Sequence, residues 1–181
     1  PLDADFTWQL VTRDELPPVV LTLSPSNGAV NVAEESVIRV TFSEPIAPAS
    51  LTTASLAVVG PGGPVTGLRE LILGGTVAVF TPTDGTGARA LLQSNAGYSV
   101  TVAGVVDLTG NVQRAQDTAT ATFSTRDTIA PTIATVSAPA GARSDETLMV
   151  TATTTNTDVA SVEFFVDGVL TATSAQPVSP G

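Results

Sequence analysis

One pattern of residues occurs twice in the chain, and its spacing constrains the fold more than any other feature. The stretch TRDELPPVVLTLSPSNG, residues 12–28, aligns without a gap with TRDTIAPTIATVSAPAG, residues 125–141, which lies 113 residues later. Each copy follows a segment of alternating apolar and polar residues and precedes another apolar segment. This period is too long for a solenoid repeat, but it suits β-sandwich domains of about 100 residues joined in tandem.

The repeat predicts three parts. Residues 1–16 would be the last strand of an upstream domain with its linker, residues 17–126 a complete domain, and residues 127–181 the N-terminal half of a further domain. The TRD segment then marks the joint between domains. Pro131 restricts Ala130 to extended conformations, which favours a short, stiff linker. We therefore expect the chain to be a piece of a longer, tandem protein.

Within the middle domain, short runs with a period of two predict an antiparallel all-β sandwich. Ile38, Val40 and Phe42 share one face of their strand and are expected to point into the core. Tyr98 opens a late strand and predicts a tyrosine corner, in which its hydroxyl binds the preceding crossover. The seven predicted strands are 19–23, 37–43, 55–59, 65–73, 76–82, 98–103 and 118–125.

The residue types that are missing exclude much chemistry. The 181 residues contain no Cys and no His, and all seven basic residues are Arg. Disulfides, thiolate nucleophiles, Ser-His-Asp triads and imidazole metal ligands are therefore excluded, and so are lysine Schiff bases. A formal charge of -10 disfavours nucleic acid and anionic membranes as partners. No apolar run is long enough to predict membrane insertion.

Several motifs of the middle domain together resemble the bacterial immunoglobulin-like domains of S-layer and other large surface proteins. They are SPSNGAVNV near residue 24, the FSEPI strand end, TVAVFTP, NAGYSVTVAGVVDLTGN and TATATFST. The resemblance covers residues 17–126. Residues 127–172, with DTIAPTI and VASVEFFVDGVL, resemble the first half of a different bacterial immunoglobulin-like module. The expected fold class is thus all-β, an antiparallel immunoglobulin-like β-sandwich in tandem domains.

The resemblance implies a function in structure and contact rather than catalysis. We expect a non-enzymatic spacer, stalk or adhesive segment of a secreted bacterial surface protein, located outside the cell. Its expected partners are neighbouring immunoglobulin-like domains of the same chain and a host or cell-surface protein or glycan. Two alternatives stay open: an accessory module of a secreted hydrolase, and a subunit of a surface filament that assembles by strand donation.

The best polar cluster lies in the DLTGN segment, where Asp107, Gly110 and Asn111 are typical of a tight turn. No cofactor is required for such a turn. The same oxygen-rich side chains are typical of calcium ligands, so we name Asp107, Asn111 and Asp127 as a candidate calcium site. Asp14 could contribute from the other copy of the joint. A single short loop supplies too few oxygens by itself.

Two pairs of neighbouring acids do not predict catalysis. Glu34 with Glu35 and Asp145 with Glu146 are adjacent in sequence, and adjacent side chains of an extended chain point to opposite faces. Neither pair is therefore expected to act as an acid and base on one substrate atom. The alternating threonines, such as Thr118, Thr120 and Thr122, are expected on the outer face of a strand.

Overall fold

The computed structural model describes residues 12–137, 149–154 and 159–175 of the chain. These residues form strands, turns and three short 3-10 segments, so the predicted all-β fold class is confirmed. The chain divides after Thr128 into two units. No helix in the described part of the chain has the length and apolar character needed to cross a membrane.

The first unit is a sandwich of two sheets. One sheet has the strand order β1-β3-β7-β6, and the other has the order β2-β9-β8-β4-β5. The strands are β1 (Val20–Ser24), β2 (Ala29–Val32), β3 (Ile38–Phe42), β4 (Leu56–Gly60), β5 (Gly63–Pro64), β6 (Gly67–Ile72), β7 (Val77–Pro82), β8 (Gly97–Val102) and β9 (Ala119–Thr125).

All seven predicted strands are present, with ends that differ by at most two residues. β2 and β5 were not predicted. β2 is four residues long and pairs with β9, which lies about ninety positions further along the chain. This β2–β9 pair is parallel, whereas the other strand pairs of the described sandwich are antiparallel.

The core follows from alternation along the strands. Ile38, Val40 and Phe42 are buried as predicted, and Arg39 between them is exposed. β7 is buried on both faces, which explains why its sequence shows no clear inner face. The core cluster also contains Ile46, Leu56, Val58, Ala78, Phe80, Leu92, Tyr98, Val100, Val102, Val105 and Phe123.

The predicted tyrosine corner is confirmed. The backbone N–H of Gln93 donates a hydrogen bond to the Tyr98 hydroxyl over 2.7 Å, which ties the crossover before β8 to that strand. The Tyr98 ring stacks on Phe123 of β9, with ring centroids 5.3 Å apart. Because Gly60 has no side chain, the ring can lie against its backbone: an added Cβ would stand 2.5 Å from the ring.

The described residues of the second unit form two antiparallel pairs of strands. β10 (Ile133–Ser137) pairs with β11 (Thr151–Thr154), and β12 (Ser161–Val166) pairs with β13 (Val169–Ala175). The turn between β12 and β13 consists of Asp167 and Gly168, both with positive φ, as a type I′ turn requires. Residues 1–11 of the predicted upstream strand and the acid pair Asp145 and Glu146 lie outside the described residues. The tandem arrangement and the boundaries of the three predicted parts stay predictions.

Candidate functional site

The DLTGN loop follows β8 at one end of the sandwich and is closed by the Asp107 side chain. Its Oδ1 accepts hydrogen bonds from the backbone N–H groups of Thr109 (2.8 Å) and Asn111 (2.7 Å). Its Oδ2 accepts from the Thr109 hydroxyl (2.9 Å) and the Asn111 amide (2.7 Å). Gly110 takes the positive φ, 96°, that the tight turn needs. The predicted turn chemistry is confirmed.

Asp107 is 2% exposed, and two opposing effects act on its pKa. Burial raises the pKa, but the hydrogen bonds from Asn111 and Thr109 to the carboxylate outweigh burial and lower it to about 2. The side chain is therefore ionised across the physiological range. The four hydrogen bonds to this buried, charged carboxylate fix the backbone conformation of the loop.

Asn111 links this loop to the segment through which the chain reaches β1. Its amide nitrogen lies within hydrogen-bond distance of the backbone carbonyl oxygens of Asp14 (3.1 Å) and Leu16 (3.3 Å). The Asp14 carboxylate in turn accepts a hydrogen bond from the backbone N–H of Leu16. The first TRD segment is thus held against the sandwich at what we call the Asp107 end.

Glu44 completes a group of three acids at this end. Ligand oxygens of Asp14, Glu44 and Asp107, which we call the acid cluster, lie within 4.8 Å of one another. Partial burial raises the pKa of Glu44, and the charges of Asp14 and Asp107 raise it further. The cluster therefore concentrates negative charge where the chain joins the sandwich.

Asp127 lies at the opposite end of the sandwich. It follows β9, and its Oδ2 accepts a hydrogen bond from the Asn95 amide, 3.0 Å away, just before β8 begins. Asp107 comes after β8 ends, so the six residues of β8, about 20 Å of extended chain, separate the two positions. Of the predicted calcium ligands, the structure brings Asp107 and Asn111 together and places Asp127 elsewhere.

The second TRD segment is anchored at this Asn95 end by several contacts. Arg126 forms an ion pair with Glu35 (3.6 Å), and its N–H donates to the carbonyl of Val32 (3.0 Å). The Thr128 hydroxyl donates to Glu34 and its N–H to the Ser94 hydroxyl. Glu34 and Glu35 therefore hold the chain, each through a different partner.

The acid cluster suits a hard cation in its chemistry but is largely satisfied without one. Calcium takes six to eight oxygen ligands. Asp107 already accepts four hydrogen bonds from its own loop, one of them from the Asn111 amide, and the second amide hydrogen of Asn111 is directed towards the carbonyls of Asp14 and Leu16. Calcium binding here stays a prediction. The sequence did not single out Glu44, although it belongs to the FSEPI strand end; its approach to Asp107 depends on how two sheets pack.

Comparisons with known proteins bear on the fold. No curated protein is a significant match to the chain. Among solved structures, the LD transpeptidase LdtMt1 in complex with imipenem is 25% identical over 60% of this chain and 40% of its own, with a TM-score of 0.42. Domains 1–6 of the surface layer protein SbsC are 19% identical over 68% of this chain and 15% of that one, with a TM-score of 0.43.

A third structure, CopC from Methylosinus trichosporium OB3b, is 14% identical over 62% of this chain and 97% of its own, with a TM-score of 0.47. The chain thus covers less than half the length of the transpeptidase and of the surface layer protein. At TM-scores below 0.5 these likenesses carry no functional inference. The family model is more specific: because the model of the bacterial Ig-like domain matches residues 14–125, well over half of the chain, the chain belongs to that family.

Proposed function

We propose that the chain is a structural segment of a bacterial cell-surface protein, in which the sandwich holds its neighbours in line and transmits force along the chain. We propose no catalytic role for it. Its partners in this proposal are neighbouring Ig-like domains, with a surface protein or glycan as a further binding partner of the whole molecule.

The observation that carries the proposal is the pairing of β2 with β9. The chain enters the sandwich at the Asp107 end, and β2 ends beside Arg126 at the Asn95 end. β2 therefore runs from the Asp107 end towards the Asn95 end. β9 runs parallel to β2 and also ends at the Asn95 end. Pulling the two chain ends apart therefore slides β2 along β9, and their hydrogen bonds are strained together rather than one after another.

Several hydrogen bonds connect these two strands with the residues directly before β2 and after β9. The N–H of Gly28 donates to the carbonyl of Thr122 (2.7 Å), and the N–H of Thr122 donates to the side-chain oxygen of Asn27 (2.9 Å). At the far end, the N–H of Arg126 donates to Val32. The anchored TRD segments at both ends support the same role, because force enters and leaves the sandwich at fixed points.

The experiment that tests the proposal compares unfolding forces of single molecules. Asn27→Ala removes the side-chain acceptor of Thr122 and should lower the force at which the sandwich unfolds. Thr120→Ala is the matched control. Thr120 is exposed on β9, the strand of Thr122, and its side chain has no hydrogen bond to β2. Equal forces for the protein and Asn27→Ala would contradict the proposal.

A further inference from the structure

An open sheet edge and a guanidinium group occur at the same place, on strand β6. β6 pairs with β7 and with no other strand of the described residues. The carbonyl of Thr66, just before β6, accepts a hydrogen bond from the N–H of Thr83 on the β7 side. The N–H and C=O groups of successive residues in a strand point alternately to its two sides. Since Thr66 points towards β7, the N–H and C=O groups of Arg69 and Leu71 point outwards, away from β7.

The Arg69 side chain lies on the inner face of this edge. Its Nε donates to the carbonyl of Leu56 (2.9 Å) and its Nη1 to the carbonyl of Gly67 (3.0 Å), while the guanidinium carbon lies 4.9 Å from the centre of the Phe80 ring. Nη2 has no hydrogen-bond partner among the described residues, and no carboxylate of those residues forms an ion pair with Arg69. One end of a half-buried cation is therefore open to solvent and available to a partner.

A cavity of about 440 Å³ lies beside Arg69, between the edges of the two sheets. Its walls include Val58, Pro64, Val65 and Thr66. The volume is within the range of ligand sites in proteins, and apolar walls around one charged group are typical of them. The features thus combine a free backbone edge, a cation and room for a side chain.

We propose that the β6 edge binds an extended peptide segment of another protein, which adds antiparallel to β6 and places an acidic residue opposite Arg69. The added strand uses the outward N–H and C=O groups of Arg69 and Leu71, and its acidic side chain enters the cavity and accepts from Nη2. A strand without this acid buries the guanidinium without a counter-charge, which costs free energy. Arg69 therefore both selects acidic strands and rejects others.

A second copy of β6 is a poor occupant of the same edge. When two such strands pair antiparallel about their centres, residues on the same face lie opposite each other. Either Arg69 then faces its counterpart in the second copy, or Glu70 does, and like charges directly opposite are destabilising. Charge complementarity favours a foreign strand with an acid opposite Arg69 and a base opposite Glu70.

The proposal is tested on the full chain, labelled with ¹⁵N, by titration with the peptide acetyl-Thr-Val-Lys-Glu-Val-Thr-amide. In the antiparallel register its Glu faces Arg69 and its Lys faces Glu70. The expected result is saturating shifts of the Arg69 and Leu71 amides with slower hydrogen exchange at both. A peptide with Gln in place of Glu should bind roughly tenfold more weakly, the loss of one charge-assisted contact.

Two variants locate the effect. Arg69→Gln should remove the difference between the two peptides, and Arg39→Gln should retain it, because Arg39 lies exposed on β3 of the same sheet and away from the edge. Equal binding of both peptides to the unchanged protein overturns the proposal. So does the absence of saturation, or saturation at a different edge; none of these outcomes depends on a variant folding.

Discussion

At the scale of single residues, a few buried or half-buried polar side chains decide how the chain enters and leaves the sandwich. Asp107 organises the DLTGN loop, Asn111 reaches from that loop to the incoming backbone, and Thr125 closes the other end. These are contacts between side chains and backbone, the kind that fixes a chain direction without adding to the apolar core. Side-chain hydrogen bonds thus hold both copies of the TRD segment against the sandwich.

Thr125 provides a test of this role, because it is 4% exposed and bonded to the crossover before β8. Its hydroxyl donates to the carbonyl of Gln93 (2.6 Å) and accepts from the N–H of Ala96 (2.9 Å). Thr125→Val keeps the shape but leaves both backbone groups without that partner. We expect the free energy of unfolding to fall by about 1–3 kcal/mol in urea denaturation.

The matched control for this change is Thr120→Val, since Thr120 is exposed on the same strand and has the same side chain. We expect its unfolding midpoint to stay close to that of the original protein. If Thr120→Val destabilises the sandwich as much as Thr125→Val does, the loss cannot come from the buried hydrogen bonds.

Glu44 tests the acid cluster. In calcium-free buffer at neutral pH, Glu44→Gln should raise the melting temperature, because partial burial and then the charges of Asp14 and Asp107 raise the pKa of Glu44 and disfavour its ionised form. Added calcium should raise the melting temperature of the original protein and should have less effect on Glu44→Gln. Differential scanning calorimetry with chelator and then with calcium measures both.

Glu70→Gln is the control for Glu44→Gln, since Glu70 is exposed on the β6 edge and does not belong to the cluster. It should leave the calcium response unchanged. A melting temperature that is the same with chelator and with calcium would remove the ion from the acid cluster and leave turn chemistry alone.

At the scale of the elements, the sequence predicts a strand well where apolar and polar residues alternate clearly within that strand. Ile38, Val40 and Phe42 alternate cleanly, so β3 and its buried face follow from the sequence. β2 does not follow from the sequence in this way. Its four residues, AVNV, are too few to show a pattern, and it pairs with β9, which lies far away in the chain. Pairing between distant segments leaves little trace in a local pattern.

The candidate site shows the same limit. The turn formed by Asp107 and Asn111 is local, and its residues follow from the DLTGN sequence. Glu44 comes to Asp107 through the packing of one sheet end against a loop from the other sheet, which no spacing reveals. Asp127 belongs to the predicted calcium ligands and corresponds to Asp14 in the repeat, but the two acids contact opposite ends of the sandwich.

The tyrosine corner is an element-scale feature that one substitution tests. Tyr98→Phe keeps the ring stacked on Phe123 but removes the acceptor for the N–H of Gln93. We expect a loss of about 1 kcal/mol in the free energy of unfolding, together with faster hydrogen exchange at the Gln93 amide. Unchanged exchange at Gln93 would show that the hydroxyl does not hold the crossover.

At the scale of the whole molecule, the sandwich combines two anchored ends with a parallel pair of strands between them. Force applied through the chain reaches the sandwich at Asp14 and leaves it at Asp127, and β2 and β9 lie between these points. Sliding this pair requires breaking its hydrogen bonds together, whereas separating the strands from one end breaks them in turn. The force needed to unfold the sandwich should therefore depend on the direction of pulling.

The measurement that tests this most directly is single-molecule unfolding with two pairs of handles. The chain has no cysteine, so engineered cysteines provide unique attachment points. Handles at Glu15→Cys and Ala130→Cys pull along the chain, and handles at Ser26→Cys and Gln116→Cys pull β2 and β9 apart from their starting ends. We predict a higher unfolding force for the first pair at the same loading rate; an equal or lower force would contradict the proposed role of the sandwich as a spacer that transmits force.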